Sequence, residues 1–236
     1  MKRSVNAWPS VKWTSIALAL MLIVVTACNK NNDDMPRTPA AGLMAFNLAL
    51  DKPSVGFALS GNQVGNAPLG YAAYTGAYLP IAAGSAELKA FDNSNSSDIA
   101  TTTNNFADSM YYSAFLVGNN GVYRNLVVHD DYATVTPVTG KAWVRYINAI
   151  PDSTVTPSVS IGDQVENAAY GTVSGFKQVD AGSLNLAVGV GSISATRAIT
   201  TQEHKIYTVL FTGLPNQSDT TKNVMIRFIE NGTASL

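Results

Sequence analysis

The chain has 236 residues, enough for one large domain or two small ones. Charged residues make up 13% of it, about half the usual share of ~25%, and Ser, Thr, Asn, Gly and Ala take their place. That balance fits β-rich extracellular proteins. It excludes a disordered chain, because Val, Ile, Leu and Tyr recur along the whole length. The formal charge of −1 becomes −4 without Lys2, Arg3 and Lys12, leaving 12 basic against 16 acidic residues; no basic patch remains, and nucleic acid is not an expected partner.

Lys2, Arg3 and Lys12 precede an uncharged apolar run at residues 14–27. The run is shorter than the roughly 20 residues of a membrane-spanning helix and suits the core of a secretory signal, so residues 1–27 are expected to be a signal peptide. It ends in Val25-Thr26-Ala27-Cys28, which resembles the lipobox of bacterial lipoproteins: small side chains admit the peptidase, and the thiol takes the diacylglycerol. Cys28 is the only cysteine, so it has no disulfide partner and is the expected site of lipid attachment. Residues 28–41 read as a flexible tether. They open with Asn29-Lys30-Asn31-Asn32-Asp33-Asp34, which has no apolar side chain to pack, and carry Pro36 and Pro39. An acidic pair so close to the lipidated cysteine resembles the surface-export signal of lipoproteins in the Bacteroidota. The expected location is therefore the outer membrane, lipid-anchored and facing outward, with a periplasmic orientation as the alternative.

Beyond the tether the sequence repeats itself. Residues 42–136 align with 141–236, joined by a linker at 137–140. Phe46-Asn47-Leu48-Ala49-Leu50-Asp51 lies over Ile147-Asn148-Ala149-Ile150-Pro151-Asp152, and Gly61-Asn62-Gln63-Val64 over Gly162-Asp163-Gln164-Val165. Tyr71 to Gly76 lies over Tyr170 to Gly175, Ala83-Gly84-Ser85 over Ala181-Gly182-Ser183, and Tyr112 to Gly118 over Tyr207 to Gly213. Within each copy the apolar period is two. Leu184, Leu186, Val188 and Val190 alternate with small or polar residues, as in a half-buried strand, whereas residues 206–211 and 224–229 are apolar on both faces, as in covered strands. Gly61-Asn62 and Gly162-Asp163 are expected hairpin turns. No sustained helical period follows residue 41. The expected fold is all-β: two tandem antiparallel β-sandwich units, immunoglobulin-like or transthyretin-like.

The second copy opens with Val144-Arg145-Tyr146-Ile147-Asn148-Ala149-Ile150-Pro151-Asp152 and continues through residues 170–176, Val179-Asp180-Ala181-Gly182-Ser183 and Lys205-Ile206-Tyr207-Thr208-Val209. This resembles the bacterial cell-surface family called domain of unknown function 4397, found in lipoproteins and often repeated. The first copy, with Leu50 in place of Pro151 and Ala82-Ala83-Gly84 at the equivalent turn, reads as a divergent member. The resemblance implies a fold and a location and carries no activity.

Candidates for chemistry are few. His129-Asp130-Asp131 groups a His with two carboxylates, but consecutive residues of a strand point to alternate faces, so at most two converge. A polar strand end is the expected explanation. Glu203-His204-Lys205 reads as a solvated turn, and Gly189-Val190-Gly191-Ser192 as a hairpin turn rather than a phosphate loop. No Gly-x-Ser-x-Gly elbow is present. Residues 92–105, rich in oxygen-bearing side chains, read as a long mobile hairpin. Tyr71, Tyr74, Tyr78, Tyr111, Tyr112 and Tyr123 are expected mainly to fill cores and cap strand edges, and are also the best sequence clue to a ligand face, since exposed tyrosines stack on sugar rings. Ser109, Ser153 and Thr220 each follow an Asp in a context resembling Bacteroidota O-glycosylation acceptors. No catalytic residue, metal or cofactor is expected. The function expected is a non-catalytic binding or structural role in the envelope. The alternatives are a fimbria-like assembly or adhesion subunit, or a glycan-processing hydrolase using carboxylates from facing loops. The expected partners are the membrane, through the lipid, and a glycan or an envelope protein.

Overall fold

The computed structural model describes residues 37–151 and 155–234. The expected signal peptide, Cys28, the start of the tether and Ser153 lie outside the described residues. Pro39–Leu236 forms one compact unit. Its regular structure is strand; the only helical turns among the described residues are 3-10 turns at Tyr132–Thr134 and Thr220–Lys222.

The first copy folds as β1 (Ala40–Ala49), β2 (Val55–Leu59), β3 (Asn62–Leu69), β4 (Ala73–Tyr74), β5 (Leu79–Ala82), β6 (Gly84–Asp92), β7 (Asp98–Phe106), β8 (Tyr111–Asn119) and β9 (Val122–His129). One sheet has the order β4-β1-β8-β9, with β5 also beside β1, and the other β3-β2-β6-β7. The second copy runs β10 (Lys141–Asn148), β11 (Ser158–Ile161), β12 (Gln164–Asn167), β13 (Lys177–Asp180), β14 (Gly182–Val190), β15 (Ile193–Thr201), β16 (Lys205–Thr212) and β17 (Met225–Thr233). Its sheets, β13-β10-β16-β17 and β12-β11-β14-β15, repeat the same plan.

The expectation of wholly antiparallel sheets is corrected at two places. β1 runs parallel to β8, and β10 runs parallel to β16. A parallel pair needs a long crossover, and here the opposite sheet of each sandwich supplies it. The first and second strands therefore lie in different sheets, unlike the immunoglobulin order, which leaves the transthyretin-like alternative.

Alternation places the side chains as their pattern predicts. Leu184, Leu186, Val188 and Val190 of β14 are buried, and their neighbours are more exposed. The doubly apolar strands have a different origin from simple burial inside one sandwich. Leu43, Ala45, Ala114 and Leu116 face Phe57, Leu88 and Ala90 in the first core, and Val144, Tyr146, Val209 and Phe211 face Leu184 and Leu186 in the second. The opposite faces of the same strands, carrying Met44, Phe46, Leu48, Phe115 and Val117, pack against Ile147, Ala149, Leu210 and Ile229 in a third core between the sandwiches. Two sheets are thus covered on both sides, which is why their strands are apolar on both faces and why the polar residues they do carry must find partners.

The repeat is physical as well as textual. Asn47 and Asn148 are both fully buried. The Asn47 amide donates to the carbonyls of Lys52 (2.7 Å) and Leu69 (3.0 Å) and accepts from Ala49 N–H. Asn148 donates to Ala168 (2.7 Å) and accepts from Ile150 N–H. Tyr112 and Tyr207 each accept, on the phenolic oxygen, a backbone N–H five residues upstream, from Ala107 (2.9 Å) and Gln202 (3.0 Å), as a tyrosine corner does. Tyr207→Phe removes that acceptor and is expected to cost about 1 kcal/mol, measured by urea denaturation.

Two local expectations shift. The first hairpin turn is Ser60-Gly61, one residue earlier than Gly61-Asn62, with φ of 46° and 85°. Glycine supplies the second left-handed position at no cost. The polar run at 92–105 belongs to a hairpin, as expected, but its tip is short: residues 98–106 form β7, paired along β6, and only 93–97 turn. Its threonines are strand formers with one face in water.

Candidate functional site

Buried polar chemistry gathers on the seam between the two sandwiches. Asp130 follows β9 and is only 1% exposed. Its carboxylate forms an ion pair with the Arg145 guanidinium of β10 and accepts from Ser113 Oγ at 2.7 Å and from the Tyr78 hydroxyl at 2.5 Å. Arg145, 3% exposed, also donates Nη2 to Ser113 Oγ (2.8 Å) and Nε to Thr208 Oγ1 (3.0 Å). Its plane lies 4.6 Å from the Phe176 ring centroid. A buried pair is tolerable only when its remaining donors and acceptors are also satisfied, and these are.

The seam shows an approximate internal symmetry. In the repeat alignment Met44 corresponds to Arg145 and Ser113 to Thr208. Strand register sets Val128 opposite Ser113 and Ile229 opposite Thr208, so Asp130 corresponds to Asn231. Thr208 Oγ1 donates to Asn231 at 2.6 Å, as Ser113 does to Asp130, and the Asn231 amide lies 4.0 Å from Met44 Sδ. The same crossing contact is made twice, charged once and neutral once. Tyr71 and Tyr170, also equivalent, each reach the other sandwich: Tyr71 lies beside Thr212 and Arg227, and Tyr170 accepts from Arg124 at 3.1 Å through its carbonyl.

Beside this pair the seam opens into a cleft of about 280 Å³, lined by Tyr78, Tyr111, Tyr132, Val135, Ile206 and residues 231–234. The Tyr111 ring centroid is 5.0 Å from that of Tyr78 and 5.6 Å from that of Tyr132, both edge-on, and Tyr132 stacks on Phe176 at 5.5 Å. The Tyr78 and Tyr132 hydroxyls lie 2.5 Å apart. Burial pushes the Tyr132 phenol up to about 12. Tyr78 is pushed up as well, by burial and by the Asp130 charge. Both stay protonated at neutral pH and serve as donors. Tyr111 differs: it is 44% exposed. A Cβ at Gly42 would sit 2.6 Å from the Tyr111 ring, so glycine there is what lets the ring lie against β1.

The sequence candidates divide accordingly. The His129-Asp130-Asp131 cluster comes apart as strand alternation requires: Asp130 points into the seam, His129 is exposed, and Asp131 accepts from Ala133 N–H at the 3-10 turn. Of the tyrosines, Tyr74 stacks on Phe46 at 5.5 Å, Tyr112 forms its corner, and Tyr123 donates to Asp51 at 2.6 Å; Tyr78 and Tyr111 alone of the six line the seam cleft. His204 occupies the expected turn, with φ of 64°. Ser109, at a left-handed turn, and Thr220 are exposed. Their preceding aspartates have structural duties, Asp108 accepting from Ala40 N–H (2.8 Å) and Asp219 from Thr221 N–H (3.0 Å). Arg145 and Tyr132 were not singled out by sequence reasoning, though Arg145 is the sole charge in the apolar run 142–150.

Two carboxylates from separate segments, Asp163 and Asp180, do line one groove of the second sandwich. Asp180 is 85% exposed and paired with Lys141 at 2.5 Å. A hydrated, neutralised carboxylate is a weak proton-transfer group. Among the described residues no group of three His, Cys, Asp or Glu is placed to hold a metal ion.

A family model described as Domain of unknown function (DUF4397) matches residues 41–161. The match covers β1 to β11: the whole first copy, which reads as the divergent one, and the opening of the second. No curated protein matches the chain.

Proposed function

This chain belongs to the DUF4397 family, and on that premise we propose that it is an outer-membrane lipoprotein, held through Cys28 and facing outward, that binds a ligand without catalysis in the seam cleft. The observation that carries the binding role is Tyr111. A large side chain left 44% exposed over a cleft, beside Tyr78, whose hydroxyl donates to Asp130, and Tyr132, whose hydroxyl meets that of Tyr78, offers contact surface and no free acid, base or nucleophile. Apolar concavities with a few fixed polar groups are how binding sites are built.

The address rests on the apolar leader and Val25-Thr26-Ala27-Cys28. Cys28→Ser removes the acylated thiol. Expressed in a bacterial host that processes lipoproteins, the wild type is expected in the detergent phase after Triton X-114 separation and the variant in the aqueous phase. Equal partitioning of the two would end the lipoprotein reading.

One observation favours assembly as a second reading. The first sandwich leaves a groove of about 320 Å³ between the edge strands β3 and β5, lined by Leu59, Val64, Leu79 and Ile81, and open sheet edges invite an added strand. Oligomer ladders on gently heated gels would support that reading, and a strict monomer at high concentration would remove it.

A further inference from the structure

We infer that the seam cleft takes a neutral pyranose ring, stacked on the exposed ring of Tyr111, as one unit of a longer glycan. The inference rests on the binding role proposed above and names its ligand class.

Charge comes first. No residue lining the cleft is a carboxylate, Lys, Arg or His. Asp130, which holds the Tyr78 hydroxyl of the cleft wall, is buried and paired with Arg145, and Lys205 and Glu230, next to lining residues, pair with each other. An anionic or cationic ligand would lose hydration with nothing to replace it. Shape comes next. At about 280 Å³ the cleft falls at or below the lower end of the roughly 300–1,000 Å³ that holds drug-sized ligands. It suits one ring rather than a folded peptide or a lipid chain.

The chemistry of the walls is two-sided, as a sugar is. The first copy supplies aromatic carbon from Tyr78, Tyr111 and Tyr132. The second supplies the polar side chains of Asn231 and Thr233. A pyranose presents C–H groups on its faces and hydroxyls at its rim, so it can stack on the ring of Tyr111 while its rim meets the polar wall. A flat aromatic ligand would stack equally well but leave that wall unpaired. Tyr111 also lines a second, shallower hollow, with Ser109 and Met110 on the other side. Neighbouring sugar units can continue from the cleft across the ring into that hollow, which is why a chain rather than a free monosaccharide is expected.

The test is saturation-transfer difference NMR on the full-length protein in detergent micelles. The probes are maltohexaose, cellohexaose and mannohexaose as neutral oligosaccharides, and a galacturonate hexamer as the acidic one. At least one neutral probe is expected to receive saturation from tyrosine ring protons onto its ring C–H protons. Its affinity is expected to fall ~10-fold or more in Tyr111→Ala, the loss of one stacked ring, and to be unchanged in Tyr123→Phe. Unaltered melting of Tyr111→Ala would show that the loss is not unfolding. A neutral sugar that binds Tyr111→Ala undiminished, or a preference for galacturonate, would overturn the inference. If no sugar binds, it is also overturned, and benzyl alcohol then separates the two claims. Tyr111-dependent binding of that small aromatic probe would leave the cleft a binding site for another ligand, and its failure would remove the binding role too.

Discussion

Asp130→Asn is expected to lower the stability of the protein by about 3–5 kcal/mol, because it leaves the Arg145 guanidinium buried without its counter-charge. For a compact unit of this size that is a fall in melting temperature of roughly 10 °C. Arg145→Met is expected to cost a similar amount from the other side, by stranding the carboxylate. The repeat then supplies its own control. The double variant Asp130→Asn, Arg145→Met rebuilds, at the charged end of the seam, the Met44–Asn231 contact that already exists at the neutral end. It should recover most of the loss and lie within ~1 kcal/mol of the wild type, since a well-packed neutral pair commonly matches a buried ion pair. Additive single losses in the double variant would contradict this reading of the seam.

Asn47→Ala is the second large effect, expected at roughly 3–5 kcal/mol. The Asn47 amide is the hydrogen-bond partner of two carbonyls and one N–H, those of Lys52, Leu69 and Ala49. The bonds to Leu69 and Ala49 are buried and the one to Lys52 is half-buried, and each unmet buried group costs about 1–3 kcal/mol. Among the described residues Asn148 makes two such bonds, to Ala168 and Ile150, and Asn148→Ala is expected to cost at least about 2–4 kcal/mol. Urea unfolding of each variant reads its loss directly. Losses below ~1 kcal/mol in both would mean that these asparagines are replaceable by water.

The two β-sandwiches were legible because alternation and repetition are local signals. β14 alternates residue by residue, and Asn47 and Asn148 recur at matched positions with matched partners. The parallel pairing of β1 with β8 was not legible, because register between strands some seventy residues apart leaves no mark in either strand alone. Residues 206–211 announced burial on both faces, but not that one face belongs to another sandwich; apolar character does not say what covers it. The same limit hid the site. Asp130 reads as a polar strand end until Arg145 of the other copy is brought beside it, and Tyr132 follows the last strand of the first copy in a short 3-10 turn with no apolar period of its own. Residues 92–105 read as a hairpin, but how much of it is strand was not legible, because threonine and asparagine on a half-exposed strand resemble a turn when the paired β6 is unknown. What sequence could have offered was the lone charge at Arg145: a buried charge requires a partner.

The two copies form one body through a shared third core and its ion pair. Differential scanning calorimetry of the intact chain reads whether they unfold as one. A single transition with equal calorimetric and van't Hoff enthalpies is the predicted result, with Asp130→Asn moving the whole transition down. Two separable transitions in the wild type, only one of them shifted by that substitution, would contradict it.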